Sequence, residues 1–263
     1  MILLNILFFL ILGSFVGSFL NVFVLRYNTS LSFVKGRSKC FSCGKKLNWY
    51  EMFPIVSFLA LRGKCSECKS KISLQYPIVE AITTVLFSLI FIKFGFSILL
   101  PVYFLAGALL IAISAYDYLH KIIPDGMVFA FDFLALLSIF FTNNSQSFFQ
   151  YPSWPQVLSG PILFSFFGFL WLVSKGRWMG FGDAKLALGV GWFLGLFGGI
   201  FSIMMAFWIG AIFSIILMLL GKLKLSHKKL TIKSEIPFAP FIIFTFFLEF
   251  FCSFGSQYFS YLF

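Results

Sequence analysis

The chain has 263 residues, of which 60% are hydrophobic, 21% are aromatic and only 11% are charged, and its net charge is +11. Ordinary soluble domains contain about 25% charged residues, so this composition excludes a soluble enzyme, a disordered protein and a small disulfide-stabilised scaffold. A polytopic helical membrane protein remains, and we expect the positive charge to reflect membrane topology and contact with anionic lipid, with no nucleic-acid partner.

The apolar runs predict an all-α protein with about eight membrane-spanning helices, since each span needs about 20 mostly apolar residues. The first run, 3–25, contains small and polar residues that suit a packed helix face better than a cleaved leader. A polar stretch of about fifty residues follows it. The other seven runs lie at 77–94, 98–115, 127–142, 157–174, 184–196, 199–220 and 237–251. Only a glycine-rich hinge separates the run 184–196 from the run 199–220.

The lysine and arginine distribution predicts the orientation of these spans. Ten of the 20 basic residues lie between Arg26 and Lys71. If that loop is cytoplasmic, alternation places 19 basic residues inside and only Lys93 outside, with both termini outside. The predicted organisation is a first helix (1–25), a small cytoplasmic loop domain (26–76) and a seven-helix membrane core (77–263).

Four cysteines in the loop predict a metal site. Cys40 and Cys43 form one Cys-x-x-Cys pair, and Cys65 and Cys68 form a second. Two such pairs about twenty residues apart are typical of a tetrahedral zinc site, and neighbouring lysines favour the thiolate form. Two disulfides are the alternative, but a cytoplasmic loop is in a reducing compartment. Four thiolates leave no open coordination position, so we expect a structural zinc ion that stabilises a loop with little core of its own.

Aspartates near the predicted membrane surface are candidate functional residues, because charged groups there are costly. Asp117 ends the third span and Asp183 opens the sixth, at similar depth, so the two carboxylates can face each other. Such a pair shares one proton and can activate a water molecule, as in aspartic proteases. Asp183 can instead cap its helix, and Asp125 is best explained as a cap. Asp132 can be a rival member of the pair or can bond a neighbouring helix.

Three further residues are candidate substrate contacts. Gly180 and Gly182 precede Asp183 and lack side chains, which lets backbone or substrate approach closely. Glu80, near the start of the second span, can contact substrate or form a salt bridge with loop lysines. Membrane aspartates and broken glycine-rich helices also occur in ion-coupled transporters, which is a competing interpretation that lacks support from any inverted repeat.

Several motifs resemble the type IV prepilin peptidases, which are GxGD intramembrane aspartic proteases. The GFGD sequence ending at Asp183 carries the central motif. In chain order, the similar segments are GSFLNV at 17–22 continuing to Arg26, the four cysteines, WYE at 49–51, PIVSFLALRG at 54–63, YPIVE at 76–80, Asp117 with IPD at 123–125, MGFGDAKL at 179–186 and IPFAPF at 236–241. The resemblance therefore extends from about residue 13 to residue 245.

The resemblance implies a bifunctional enzyme of the bacterial inner membrane. Its peptidase activity removes a short basic leader from type IV prepilins or pseudopilins at the cytoplasmic face, in pilus assembly or protein secretion. The family's catalytic aspartates correspond to Asp117 and Asp183. Many members then N-methylate the new amino terminus with S-adenosylmethionine, but no glycine-rich nucleotide loop indicates where this cofactor binds. A peptidase without methyltransferase activity is the alternative.

Overall fold

A computed structural model describes residues 2–29, 32, 36, 38–141, 149–222 and 237–254. Part of the predicted basic loops lies outside these residues, namely Lys35, Arg37 and the lysines within 224–233. Thr142, the last residue of the fourth predicted span, and Ile236, the first residue of the IPFAPF segment, also lie outside them.

Helices are the main regular structure of the described residues, which confirms the predicted all-α class. The helices are α1 (Ile2–Arg26), α2 (Val56–Ala60), α3 (Gln75–Phe94), α4 (Leu100–His120), α5 (Asp125–Ser138), α6 (Trp154–Ser174), α7 (Phe181–Lys222) and α8 (Ala239–Cys252), with a short 3-10 helix at Trp49–Met52. The only extended pairings in the described ranges are three isolated bridges, such as Lys39 with Lys46. Local signals explain several starts: the Ser153 N–H donates to Gln156 Oε1 (2.9 Å) before α6, and Pro124 precedes α5.

The predicted number of eight spans is not confirmed. Five described helices, α1, α3, α4, α6 and α7, are long and apolar enough to cross a membrane. The helices α5 and α8 have 14 residues each, about 21 Å at 1.5 Å per residue, which is short of a hydrocarbon core of about 30 Å. In the fourth predicted span the helix ends at Ser138 and a turn follows.

The sixth and seventh predicted spans both lie within α7, which has 42 residues. A straight helix of that length would extend about 63 Å, twice the hydrocarbon thickness. The backbone is non-helical at Gly195, with φ 73° and ψ 177°, so α7 is interrupted there. This interruption falls next to the glycine-rich hinge that the sequence predicts between residues 196 and 199.

The chain divides into two compact units, Met1–Ala115 and Tyr116–Phe263. In the first unit α1 packs closely on α3: a Cβ atom added to Gly17 would lie 2.7 Å from the Glu80 Cα atom. In the second unit α6 crosses α7 with backbones in contact, because a Cβ on Gly191 would lie 2.7 Å from the Ser159 carbonyl oxygen. The second unit includes the last turn of α4 and therefore holds Asp117, Asp132 and Asp183.

Candidate active site and metal centre

The structure brings Asp117 and Asp183 together within the second unit. Asp117 lies in the last turn of α4 and Asp183 in the first turn of α7, and both are buried, with 4% and 5% of their surface exposed. The two carboxylates are close enough to interact electrostatically. Two acids from helices far apart in sequence therefore lie near each other inside the second unit, and their predicted catalytic role stays a prediction.

The partners of the two carboxylates differ. Asp117 Oδ2 accepts a hydrogen bond from the Ala239 N–H (3.2 Å), which belongs to the first residue of α8. Asp183 accepts from the Gly180 N–H, a contact typical of an acid near the start of a helix. The capping interpretation of Asp183 is thus partly right, but it accounts for only one oxygen. Asp183 Oδ1 is buried and has no hydrogen-bond partner among the described residues.

The two glycines of the GFGD motif have different surroundings. A Cβ atom on Gly182 would lie 2.7 Å from Ile123 Cβ, so this glycine allows the start of α7 to pack against the segment between α4 and α5. A Cβ atom on Gly180 would lie 3.6 Å from Asp183 Oδ2. A Cβ atom at Gly180 would therefore make only an ordinary contact with the carboxylate, whereas Gly182 allows two segments of the chain to pack closely. Substrate contact by either residue stays a prediction.

Glu80 lies in the first unit, on α3. Its Oε2 atom accepts the Ile55 N–H (2.7 Å), and the Ser18 hydroxyl is a second partner. No salt bridge from a loop lysine to Glu80 is present among the described residues. Ile55 has φ 60°, which is unfavourable for a β-branched residue. Glu80 thus fixes a strained turn of the loop, and its predicted substrate contact is untested.

The other two aspartates have separate environments. Asp125 is in the first turn of α5 and forms an ion pair with Lys185 of α7 (2.8 Å). Asp132 is deeper in α5, with 7% of its surface exposed, and lies against Gly189 of α7. A Cβ atom at Gly189 would collide with Asp132 Oδ1.

The four loop cysteines form one cluster, as the spacing predicts. All are free, and their sulfur atoms lie within 4.8 Å of one another, with Cys40 Sγ and Cys68 Sγ 3.8 Å apart. A tetrahedron of sulfurs about 2.3 Å from a zinc ion has edges of about 3.8 Å. The geometry and the donor set therefore fit a metal ion such as zinc.

Two equivalent turns build this cluster. The Cys40 N–H donates to the Lys45 carbonyl, and the Cys65 N–H donates to the Ser70 carbonyl at the same 2.9 Å. Residues after each pair adopt positive φ, Gly44 at 73° and Lys69 at 58°. In the first turn the backbone N–H groups of Cys43 and Ser42 lower the pKa of the Cys40 thiol to about 6, which favours its thiolate form. The Lys45 N–H lowers the pKa of Cys43, but burial and the neighbouring cysteine thiols outweigh it, so that the pKa of Cys43 is raised.

Glu51 connects the two turns, a role that the sequence analysis missed. Its carboxylate accepts the Asn48 N–H (2.8 Å), the Ser66 hydroxyl (2.5 Å) and the Lys45 ammonium group (3.1 Å). These donors hold the pKa of Glu51 at about 2, with the Asn48 N–H contributing most. The Ala239 amide at Asp117 was also missed. Both residues lie in segments that carry the family resemblance, which is the only sequence signal that points to them.

Models of known protein families match most of the chain. Residues 11–94 match the bacterial peptidase A24 N-terminal domain, and residues 103–215 match the type IV leader peptidase family. Proteins named prepilin leader peptidase/N-methyltransferase are similar: that of Stutzerimonas stutzeri is 30% identical across 89% of this chain and 86% of its own length. The Bacillus subtilis protein is 31% identical across 91% and 90%.

A shorter alignment has higher identity. The prepilin leader peptidase/N-methyltransferase of Myxococcus xanthus is 41% identical over 120 residues, which is 46% of this chain and only 36% of that relative. No solved structure matches the chain significantly. The evidence for similarity over the whole length therefore comes from the longer alignments, which cover most of both proteins.

Proposed function

The chain belongs to the type IV leader peptidase family, and on this premise we propose that Asp117 and Asp183 are the catalytic pair of a prepilin leader peptidase and N-methyltransferase. The family supports cleavage of prepilin leaders and methylation of the product, by a multi-pass protein of the bacterial inner membrane. The observation that carries the residue assignment is that two buried carboxylates, one in the last turn of α4 and one in the first turn of α7, lie close enough to interact electrostatically.

The chemistry follows from the pairing. Two close, buried carboxylates cannot both ionise at low cost, so the pair holds one proton, and its titration belongs to both residues together. The ionised member removes a proton from a water molecule, and the water oxygen attacks the carbonyl carbon of the scissile peptide bond. The protonated member then donates its proton to the leaving nitrogen. Asp183 Oδ1, which lacks a partner in the described part of the chain, is available for water or substrate.

The proposed topology places this pair at the cytoplasmic membrane surface. The charge distribution supports that orientation, since 19 of the 20 basic residues are then inside. Eight spans fit if α7 counts as two segments separated at Gly195 and if the shorter α5 and α8 also cross. A leader that stays in the cytoplasm because it is basic would then reach the pair without crossing the bilayer.

The loop cluster is proposed to hold a structural zinc ion through Cys40, Cys43, Cys65 and Cys68. The four thiolates complete a tetrahedral shell, so the ion stabilises the loop and takes no part in hydrolysis. S-adenosylmethionine is the proposed methyl donor: the new N-terminal amine of the mature substrate would take the methyl group from the sulfonium sulfur and lose a proton, leaving S-adenosylhomocysteine.

The test uses the purified full-length protein in detergent with a type IV prepilin or pseudopilin. Cleavage at the leader junction without any ion gradient supports the peptidase. Gradient-dependent uptake of a solute by the same protein reconstituted in vesicles, with no cleavage in detergent, would instead support a transporter. Mass spectrometry of the mature product then separates the two peptidase alternatives, because methyl transfer adds about 14 Da to the first residue.

A further inference from the structure

One stretch of the loop between α1 and α3 has an apolar surface. It comprises the 3-10 helix Trp49–Met52, α2 (Val56–Ala60) and the residues between them. Its one charged residue, Glu51, is buried and bonded to the cysteine turns. The side chains that we call the loop patch are aromatic or aliphatic, with exposed fractions of 72% for Trp49, 55% for Tyr50, 43% for Phe53, 64% for Val56 and 68% for Leu59. A contiguous exposed apolar surface indicates a binding surface.

Ring contacts connect the loop patch to α1. The centre of the Trp49 ring lies 5.9 Å from that of Tyr50 and 5.9 Å from that of Phe53. The Phe53 ring in turn lies 6.2 Å from the ring of Phe15 on α1. Phe15 is half exposed, and α1 is long and apolar enough to cross a membrane. The loop patch is therefore continuous with the surface that α1 exposes to lipid.

The loop patch also reaches below the end of α1. This helix ends at Arg26, the first basic residue of the loop, and Phe15 precedes Arg26 by about 16 Å of helix. The headgroup layer on one side of a bilayer is only about 5–8 Å thick. On α3, the Ile55 N–H donates to Glu80 Oε2 (2.7 Å), which lies beyond the first turn of that helix. The loop therefore folds back along both helices, and Phe53 reaches the depth of the acyl chains.

A basic pocket borders α2. It has a volume of about 270 Å³, and its cationic lining residues are Arg62, Lys64 and Lys69. All three are exposed, and none of them forms a salt bridge with a carboxylate of the described residues. Ala60, the last residue of α2, lines the same pocket. The three cations therefore lie beside the helix that carries part of the loop patch.

We propose that the loop patch inserts into the membrane interface beside α1 and that the basic pocket binds phosphate groups of the neighbouring phospholipids. Lipid is the occupant that fits, because the patch continues the lipid-exposed surface of α1 and is bordered by cations that complement lipid phosphates. Tryptophan and tyrosine are enriched where acyl chains meet headgroups. The stretch thereby holds the cysteine cluster against the bilayer. This anchoring is independent of prepilin cleavage, because none of these residues belongs to the proposed catalytic pair.

Site-specific photo-crosslinking in vesicles tests the insertion directly. A photoreactive phenylalanine analogue replaces Leu59 in the full-length protein, and a second protein carries it at Val56. The control carries it at Phe41, which is 85% exposed in the first cysteine turn and outside the loop patch. We expect lipid adducts at positions 59 and 56, identified by mass spectrometry, and only background at position 41. Adducts of positions 59 and 56 with protein in place of lipid, or equal lipid adducts at all three positions, overturn the proposal.

The headgroups of the lipids in these adducts test the basic pocket. The vesicles contain equal amounts of phosphatidylglycerol, which is anionic, and phosphatidylethanolamine, which is zwitterionic. With the analogue at position 59, we expect adducts enriched about fivefold or more in phosphatidylglycerol, since each cation near the surface favours an anionic lipid by about that factor. Arg62→Gln with Lys64→Gln should abolish the enrichment. Lys39→Gln with Lys46→Gln removes the same charge from residues outside the pocket and should keep it. Equal adducts of both lipids with the unsubstituted pocket, or enrichment that survives Arg62→Gln with Lys64→Gln, contradict the phosphate-binding role.

Discussion

Replacing Glu51 with glutamine removes the charge from a carboxylate that accepts three hydrogen bonds and connects the two cysteine turns. A glutamine at this position turns an NH₂ group toward at least one existing donor, so one of the three bonds is lost. Because folding of the loop and metal binding are coupled, a loss of loop stability is measured as weaker metal binding.

The magnitude follows from the pKa of Glu51. Its value of about 2, against 4.5 for an ordinary glutamate, corresponds to about 3 kcal/mol at 1.36 kcal/mol per unit. Solvent screening near the surface of a small loop reduces this, and we expect a loss of about 1–2 kcal/mol. Since 1.4 kcal/mol is a tenfold change in an equilibrium constant, Glu51→Gln should release its metal to a competing chelator about 5- to 30-fold more readily.

The assay is chelator competition on the zinc-loaded full-length protein in detergent at neutral pH. Glu67→Gln is the matched control, because it removes the same charge from an exposed residue of the second turn. A depressed pKa contributes stability that is present above the ordinary value and is lost as the pH falls toward about 2. The difference between wild type and Glu51→Gln should therefore be the same at about pH 6 and about pH 8. Equal chelator resistance of both variants would refute the reasoning.

Two other substitutions have defined expectations. Gly191→Ala places a Cβ atom 2.7 Å from the Ser159 carbonyl oxygen and 2.8 Å from Gly160 Cα. It should destabilise the protein by about 1–3 kcal/mol, which is measured as a lower unfolding midpoint in detergent. Gly168→Ala, whose Cβ atom would have nothing within 4 Å, is the control, and an equal effect of both substitutions would contradict the packing account. Cys65→Ser should reduce bound metal from about one ion per chain to nearly none, as measured by elemental analysis. Cys252→Ser, which lies outside the cluster, should keep its metal. Retained metal in Cys65→Ser would argue against the four-thiolate site.

Features that depend on local sequence could be predicted. The cysteine cluster follows from two short Cys-x-x-Cys turns, each of which closes within a few residues. The second predicted span, 77–94, corresponds closely to α3 (Gln75–Phe94), because a long apolar run specifies a membrane helix through its own backbone bonds. The break at Gly195 was also indicated by local glycine content.

Features that depend on tertiary contact could not be predicted from local patterns. Ala239 N–H meets Asp117 across 122 positions of sequence, and no periodicity links the two. The C-terminal end of α5 was predicted too late, at residue 142, since apolar composition continues after the helix ends at Ser138. The proximity of Asp117 and Asp183 was predictable because the charge-derived topology placed both at one depth and the family resemblance pointed to the same two residues.

Leader removal by two single-residue variants tests the central claim most directly. Full-length wild type, Asp117→Asn, Asp183→Asn and the control Asp125→Asn, whose carboxylate instead pairs with Lys185, are purified and mixed with the same prepilin. We expect both dyad variants to keep their metal and their unfolding midpoint while cleavage falls by about 10³-fold or more, with Asp125→Asn near the wild-type rate. Cleavage at the wild-type rate by either folded dyad variant would contradict the assignment of Asp117 and Asp183 as the catalytic pair.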